Sequence, residues 1–280
     1  MTKRKRRFIQ CDVFSAKPLK GNGLAVVVDG DGLSTSQMQQ FAAWTNLAET
    51  TFLQTPEEPT ADYAVRIFTP GREMPFAGHP TLGSCAAWLH SGGVPREAGI
   101  VRQQCQIGVV EIDMSGAIPA FVAPPTQIAP LDQADITRLT MALDLSPGQI
   151  IGAARLDNGP VWQVLELQSA ADVLAIDANR VSWPEFVALG VFGPYPEGGD
   201  VDFEVRNLAP SSGMSEDPIT GSLNAAIAQW LAANGRLEKK IVMSQGTKIG
   251  REGRVYVTAD ADQIKIGGQV QIVIEGTVDL

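Results

Sequence analysis

Two uncharged runs, each entered through a short motif of small residues and one titratable side chain, constrain this chain most. Glu216-Asp217-Pro218-Ile219-Thr220-Gly221-Ser222 opens the second of them, and the sixteen residues from Pro218 to Ala233 carry no charge. A helix that is apolar or neutral on every face is one surrounded by protein. With Asn224 and Gln229 inside it, the run is too short and too polar for a membrane span, which takes about 20 apolar residues. Proline suits the first helical position, where its missing N–H costs nothing, and it keeps the preceding residue extended. Asp217 is therefore expected just outside the helix. Gly221 and Ser222 are small enough to admit a ligand to the N–H groups of the first turn, where the helix dipole favours anions.

An earlier stretch repeats the design. Ala77-Gly78-His79-Pro80-Thr81-Leu82-Gly83-Ser84 aligns with Ser215 to Ser222 at an offset of 138 residues, His79 to Asp217. Pro80 then falls on Pro218, and Gly83-Ser84 on Gly221-Ser222. Cys85 to His90 continues uncharged until Ser91-Gly92-Gly93, a glycine stop. Asn22-Gly23 and Asn158-Gly159 lie 136 residues apart, and Ile107-Gly108 and Ile249-Gly250 lie 142 apart. Three anchors at nearly one spacing predict a duplicated domain. The 280 residues suffice for two domains of about 100 to 150 residues each. The expected division is 1–125 and 126–268, the last strand at about 269–280 being able to join the first domain, with the proline-rich stretch Ile118 to Pro130 as linker.

A net charge of −9 argues against general nucleic-acid binding, which needs a basic surface. The exception is Lys3-Arg4-Lys5-Arg6-Arg7, read either as a polyanion-binding arm or as a solvated leader before the first strand. No apolar h-region follows it, so it is not a secretory signal. Cys11, Cys85 and Cys105 show no metal spacing and leave one unpaired in any disulfide scheme, which suits a reducing cytoplasm. Two histidines without paired spacing give no zinc signature.

Periodicity and turn chemistry predict strands over Phe8 to Phe14, Leu24 to Val28, Tyr63 to Phe68, Val109 to Met114, Ile150 to Ala154, Val161 to Leu167 and Phe203 to Asn207. Further strands are expected at Lys240 to Ser244, Arg254 to Thr258, Gln263 to Ile266 and Val270 to Ile274. A capping box at Ser34 and Gln37 starts a helix ending near Thr45-Asn46. Other helices are expected at Asp132 to Leu143, Ala170 to Ala175 and Pro184 to Leu189. Hairpin-rich β-structure around one buried helix per half is an α+β fold, and no nucleotide fingerprint appears.

Glu49 is the only charged residue between Asp31 and Glu57. A lone carboxyl entering a β-prone run is expected to be partly desolvated, which raises its pKa and suits it to trading protons. The competing reading pairs it with Arg66 or Arg72. If the two halves face each other, two helix entrances meet at one cleft, with His79 and Asp217 on its walls and Glu49 moving a proton. Moving hydrogen at a carbon next to a carboxylate needs a positioned base and anion stabilisation, with no metal or cofactor. The bland alternatives are that His79 is a loop histidine, that Asp217 caps its helix, that Cys85 is core, and that Gly83-Ser84 and Gly221-Ser222 are small for packing.

Asp12-Val13-Phe14, Gly21-Asn22, Asn46 to Phe52, Phe76 to Gly83, Glu216 to Ser222 and Gln245-Gly246 with Ile249-Gly250-Arg251 together resemble the phenazine-biosynthesis isomerase (PhzF-like) family. The resemblance runs along nearly the whole chain. It implies the diaminopimelate epimerase fold, two similar domains each wrapping a mostly antiparallel sheet around a central helix, and a homodimer. It also implies a cofactor-independent isomerase or epimerase acting on a small carboxylate-bearing substrate such as a dihydro-hydroxyanthranilate. Glu49 would move the proton, and His79 and Asp217 would line the site; on the reading of the helix entrances given above, Gly78, Gly83, Ser84, Gly221 and Ser222 are expected to contact substrate. Two departures bear on the pocket: Gly23 stands where the family commonly has proline, and Leu223-Asn224 replaces a frequent Ala-His. The alternative from another class is a small-carboxylate binding or sensing protein that keeps the pocket without the chemistry.

Overall fold

The basic stretch at the N-terminus is part of the fold. In the computed structural model, which describes residues 4–180, 187–208, 215–238, 240–260 and 263–280, the first strand β1 (Lys5–Val13) begins inside it. Arg6 is buried and donates from Nη1 to the carbonyls of Asp29 and, at 2.9 Å, of Asp31. Arg7 clasps the Asp29 carboxylate through Nε and Nη2, the latter at 2.6 Å. Arg4 exchanges backbone hydrogen bonds with Leu280. Arg6 and Arg7 thus have partners about two dozen residues away, while Arg4, Lys5 and Arg7 stay exposed.

The structure is α+β. Its contacts divide into two compact units, Met1–Val122 with Gly267–Leu280, and Ala123–Ile266. In the first, β1 is followed by β2 (Asn22–Val27), α1 (Thr35–Thr45), β3 (Glu49–Gln54), β4 (Tyr63–Phe68), β5 (Glu73–Met74), α2 (Gly78–His90), β6 (Ile100–Cys105), β7 (Gly108–Asp113) and β8 (Ala120–Val122). β1 lies between β2 and the C-terminal strand Val270–Asp279, antiparallel to both. β2 runs parallel to β3, β3 antiparallel to β4, and β4 antiparallel to β5 and parallel to β6. β6 pairs antiparallel with β7, and β7 antiparallel with β8. Ser34 and Gln37 do form the capping box of α1, and Asn46 closes that helix in the left-handed conformation. Met38, Phe41 and Ala42 of α1 pack with Val27, Phe52 and Phe68.

The second unit holds β9 (Gln127–Pro130), α3 (Gln133–Ala142), β10 (Ile150–Asp157), β11 (Val161–Leu167), α4 (Ala170–Ala175), β12 (Ala188–Pro194), β13 (Phe203–Leu208), β14 (Glu216–Asp217), α5 (Gly221–Ala233), β15 (Lys240–Gln245), β16 (Gly253–Asp260) and β17 (Gln263–Gly267), the last crossing into the first unit's span. From β10 onward its pairings repeat those that start at β1. They run antiparallel to β11, parallel to β12, antiparallel to β13, then antiparallel to β14 and parallel to β15, with β15–β16 antiparallel.

Each unit buries its uncharged helix. In α5, Leu223, Ala225 to Ala228 and Leu231 are all buried, each large side chain contributing about 2 kcal/mol. Glycine permits the close approach of helix to sheet in both units, from opposite sides. A Cβ on Gly83 of α2 would lie 2.5 Å from Leu24 Cδ2 of β2, and one on Gly190 of β12 would lie 2.5 Å from Leu223 Cδ1 of α5.

Several expectations change. α5 starts at Gly221, so Pro218 precedes its N-cap, Thr220; in α2, Pro80 is the third helical residue and His79 the second. The two helices are therefore offset by 143 residues, Gly78 to Gly221. Ser222, and not Asp217, takes the place of His79. The stretch Ile118 to Pro130 does hold the division between the units, after Val122, but it also contains β8 and β9. Of the helix expected at Pro184 to Leu189, residues 184–186 lie outside the described residues, while Ala188 and Leu189 are strand.

Candidate active site

At the mouth of α2, Glu49 and His79 are brought together. The left-handed residue Asn46 turns the chain out of α1 and into β3, whose first residue is Glu49, opposite Leu24 of β2. The N-cap of α2, Ala77, is extended and has no side chain able to cap, so the first-turn N–H groups receive no hydrogen bond from it. His79 Nε2 lies 3.3 Å from Glu49 Oε2, and the two side chains are 6% and 17% exposed. Burial alone pushes the imidazole down to about 3, so His79 is neutral at physiological pH. The distance would suit an ion pair, but the desolvation of an almost fully covered ring decides against a charged imidazolium. The pair is a neutral imidazole beside a half-buried carboxyl. Arg66, the partner considered for Glu49, is bound to Glu73 instead.

Behind this mouth the helix is fastened to the sheet by hydroxyls. Ser84 donates to Thr51 Oγ1 at 2.9 Å, Gln103 Nε2 donates to Thr81 Oγ1 at 3.2 Å, and Tyr63 donates to Gln103 Oε1 at 2.9 Å. Gly78 shares the first turn with His79. Gly83 and Ser84, expected against substrate, lie instead in the helix–sheet packing, Gly83 against Leu24 and Val13 and Ser84 wholly buried on Thr51.

The mouth of α5 is built differently. Asp217 pairs with Asn207 across β13 and β14, and its Oδ2 accepts from the Thr220 hydroxyl. Gln245, fully buried at the end of β15, bridges Asp217 and Thr220. Gly246 follows at φ +89, where a Cβ would lie 2.7 Å from the Pro218 carbonyl. Only glycine takes that backbone without strain, and it lets the 217–220 segment lie against β15. Gly221 is the first residue of α5. Ser222 is half-buried, and its carbonyl accepts from Asn158 Nδ2 at 2.8 Å. Glu216, beside Asp217, belongs to the framework: Arg206 grips it at 2.8 and 3.2 Å.

Thr220 and Gln245 lie in motif stretches but have no site role in the sequence reading, Asn224 enters it only as a departure bearing on the pocket, and Asn207 is not singled out. Their signal was faint: single polar residues at the edges of apolar runs, which pattern alone assigns to turns. Among the described residues no group of three or more His, Cys, Asp or Glu could hold a metal ion. Burial pushes the thiols of Cys11 and Cys85 up to about 12, so neither is a ready nucleophile. Among the described residues no helix is long and apolar enough to cross a membrane.

The sequence profile of the family described as "Phenazine biosynthesis-like protein" (PhzC-PhzF) matches residues 11–276. A Schizosaccharomyces pombe protein named Antisense-enhancing sequence 1 is 36% identical across 96% of this chain and 97% of its own. The trans-2,3-dihydro-3-hydroxyanthranilate isomerase of Pseudomonas chlororaphis is 31% identical across 92% of each chain. Among solved structures, the Bacillus anthracis phenazine biosynthesis protein of the PhzF family is similar with a TM-score of 0.83, covering 98% of this chain and 99% of that one at 22% identity. That likeness concerns the fold.

Proposed function

We propose, because this chain belongs to the phenazine biosynthesis-like protein family, that it is an isomerase that moves a proton between carbons of a small carboxylate-bearing metabolite. The observation that carries the reading is the Glu49–His79 contact at the mouth of α2. A carboxyl shielded from water on one side, with a neutral imidazole nitrogen 3.3 Å from it, is suited to take a proton from carbon and return it to another. Glu49 removes the proton, breaking one C–H bond, and the electron pair delocalises towards the substrate carboxylate. Redelivery from Glu49 forms the new C–H bond, so no redox partner is consumed. His79, neutral, steadies the Glu49 carboxyl without quenching its basicity, and Asp217 orients the substrate and assists proton movement. The first-turn N–H groups beside Gly78 suit a substrate's carboxylate. A homodimer in a reducing cytoplasm, with a domain boundary near residue 125, belongs to the same proposal.

Trans-2,3-dihydro-3-hydroxyanthranilate is the first substrate to try, since the 31%-identical relative is named for it. In D₂O the protein is expected to convert it and to place one solvent deuterium on carbon. A second reading, from another class, is a small-carboxylate binding or sensing protein that keeps the pocket without the chemistry. Saturable binding of aromatic carboxylates, with no deuterium incorporated into any of them, would decide for that second reading.

A further inference from the structure

Asp217 sits at the end of a chain of amides and hydroxyls whose donors and acceptors can be assigned, because backbone groups fix where the chain begins. Gln245 Oε1 accepts from the Thr220 backbone N–H at 3.0 Å, and Gln245 Nε2 donates to the Asp217 carbonyl at 3.1 Å. A backbone N–H only donates and a carbonyl only accepts, so this amide cannot be turned over. Asn224 adds a second constraint: its Nδ2 donates to Gln245 Oε1 at 2.7 Å and to the Thr220 carbonyl at 2.8 Å. With its orientation fixed, Gln245 Nε2 also donates to Thr220 Oγ1 at 3.0 Å, and Asn207 Nδ2 donates to the same oxygen at 3.0 Å. A hydroxyl has two lone pairs and one hydrogen. Both lone pairs are occupied, so the hydrogen goes to the remaining neighbour, Asp217 Oδ2.

We infer that Gln245 is a positioning residue for Asp217: together with Asn207 it commits the Thr220 hydroxyl proton to Oδ2, and so fixes the Asp217 carboxylate in place as an acceptor. This deepens the proposed function and rests on the role given there to Asp217. When Asp217 accepts a proton, a bond to hydrogen in the substrate breaks and an O–H bond forms on its carboxylate; delivery reverses both, and the Thr220 O–H bond is never broken. Full burial of Gln245 keeps water from substituting for any of its four bonds. The arrangement also keeps the N-cap of α5 in register with Asp217, since a single amide holds the Thr220 N–H, the Thr220 hydroxyl and the Asp217 carbonyl.

Neutron diffraction from crystals of the full chain grown in D₂O tests the polarity without any substrate. Deuterium on Thr220 Oγ1 pointing at Asp217 Oδ2, with amide deuteria of Gln245 and Asn207 pointing at Oγ1, is the expected result. Deuterium on Asp217 Oδ2, or a reversed Gln245 amide, would overturn the inference. The functional arm uses trans-2,3-dihydro-3-hydroxyanthranilate as substrate. Gln245→Leu should lower kcat roughly a hundredfold, the scale of a misplaced catalytic group, with a smaller change in KM. Gln245→Glu can donate only while its new carboxyl is protonated, so it should regain kcat at low pH and lose it as pH rises, a limb the wild type lacks. If Asp217→Asn keeps full kcat, the underlying reading of Asp217 is wrong. If Asp217→Asn is inactive while both Gln245 variants keep the wild-type kcat and pH profile, or lose only melting temperature, the positioning role alone fails.

Discussion

The strand pairs β4–β5 and β13–β14 carry the same ion pair in two environments. Arg66 grips Glu73 through Nε and Nη2 at 2.7 and 2.6 Å, with side chains 25% and 19% exposed. Arg206 grips Glu216 through the same two nitrogens, with side chains 1% and 3% exposed, and spends Nη1 on the carbonyls of Val173 and Ile176. Each pair pins a two-residue strand just ahead of the buried helix. Beyond it the two entrances diverge. α2 begins on an uncapped Ala77 with a neutral imidazole beside Glu49, whereas α5 begins on a Thr220 whose hydroxyl is committed to Asp217. The repeated part of the fold is the frame that sets the helix mouth, and the unlike part is the chemistry at the mouth.

The largest expected effect comes from the buried pair. Glu216→Gln leaves Arg206 charged in the interior and should destabilise the protein by up to about 5 kcal/mol in urea unfolding. A cost near that of the equivalent change in the first unit would break the comparison. Next is pH. The folded-state pKa of His79, about 3, lies below its unfolded value of about 6.5, so the unfolded chain takes up the proton first. Stability from this group is complete above about pH 6.5 and is lost as pH falls, reaching about 4 kcal/mol by pH 3.5. Subtracting the pH profile of His79→Gln from that of the wild type should isolate this loss, and an unchanged slope would mean that the ring is not desolvated. Gly83→Ala and Gly190→Ala test whether both helices seat on their sheets equally tightly. Each new methyl meets a leucine at 2.5 Å and should cost about 1 to 3 kcal/mol, with one free site and one costly site counting against equal seating. Smallest is Glu73→Gln, where a partly exposed pair should yield about 1 kcal/mol or less, read as a small shift in the urea midpoint.

Much of the frame is legible in the sequence. Tyr63 to Phe68, Val161 to Leu167 and Ala170 to Ala175 take the bounds their periodicity predicts, and α3 falls one residue inside Asp132 and Leu143 at either end. These segments are governed by local pattern. What was not legible depends on partners distant in sequence. Pro218 marks a plausible helix start, yet Asp217 and Thr220 are tied to Gln245, and the helix waits until Gly221. The two-residue strands β5 and β14 exist through Arg66 and Arg206, each several residues upstream. The basic run looks solvated because its partners, the Asp29 and Asp31 carbonyls and the Asp29 carboxylate, are about two dozen residues away. For the same reason a motif alignment set His79 on Asp217, when the helices themselves pair His79 with Ser222. Glu49 stood out in sequence by its isolation among uncharged neighbours; that an imidazole, and not Arg66, faces it is a matter of tertiary structure.

The central claim is that the carboxyl of Glu49 carries hydrogen between carbon atoms. Quenched-flow mixing of wild type and Glu49→Gln with trans-2,3-dihydro-3-hydroxyanthranilate in D₂O, with product deuterium read by mass spectrometry, addresses it directly. The account predicts one deuterium on carbon with the wild type, and incorporation slowed at least about a thousandfold in Glu49→Gln with substrate binding retained. Wild-type rates of incorporation by Glu49→Gln would contradict it.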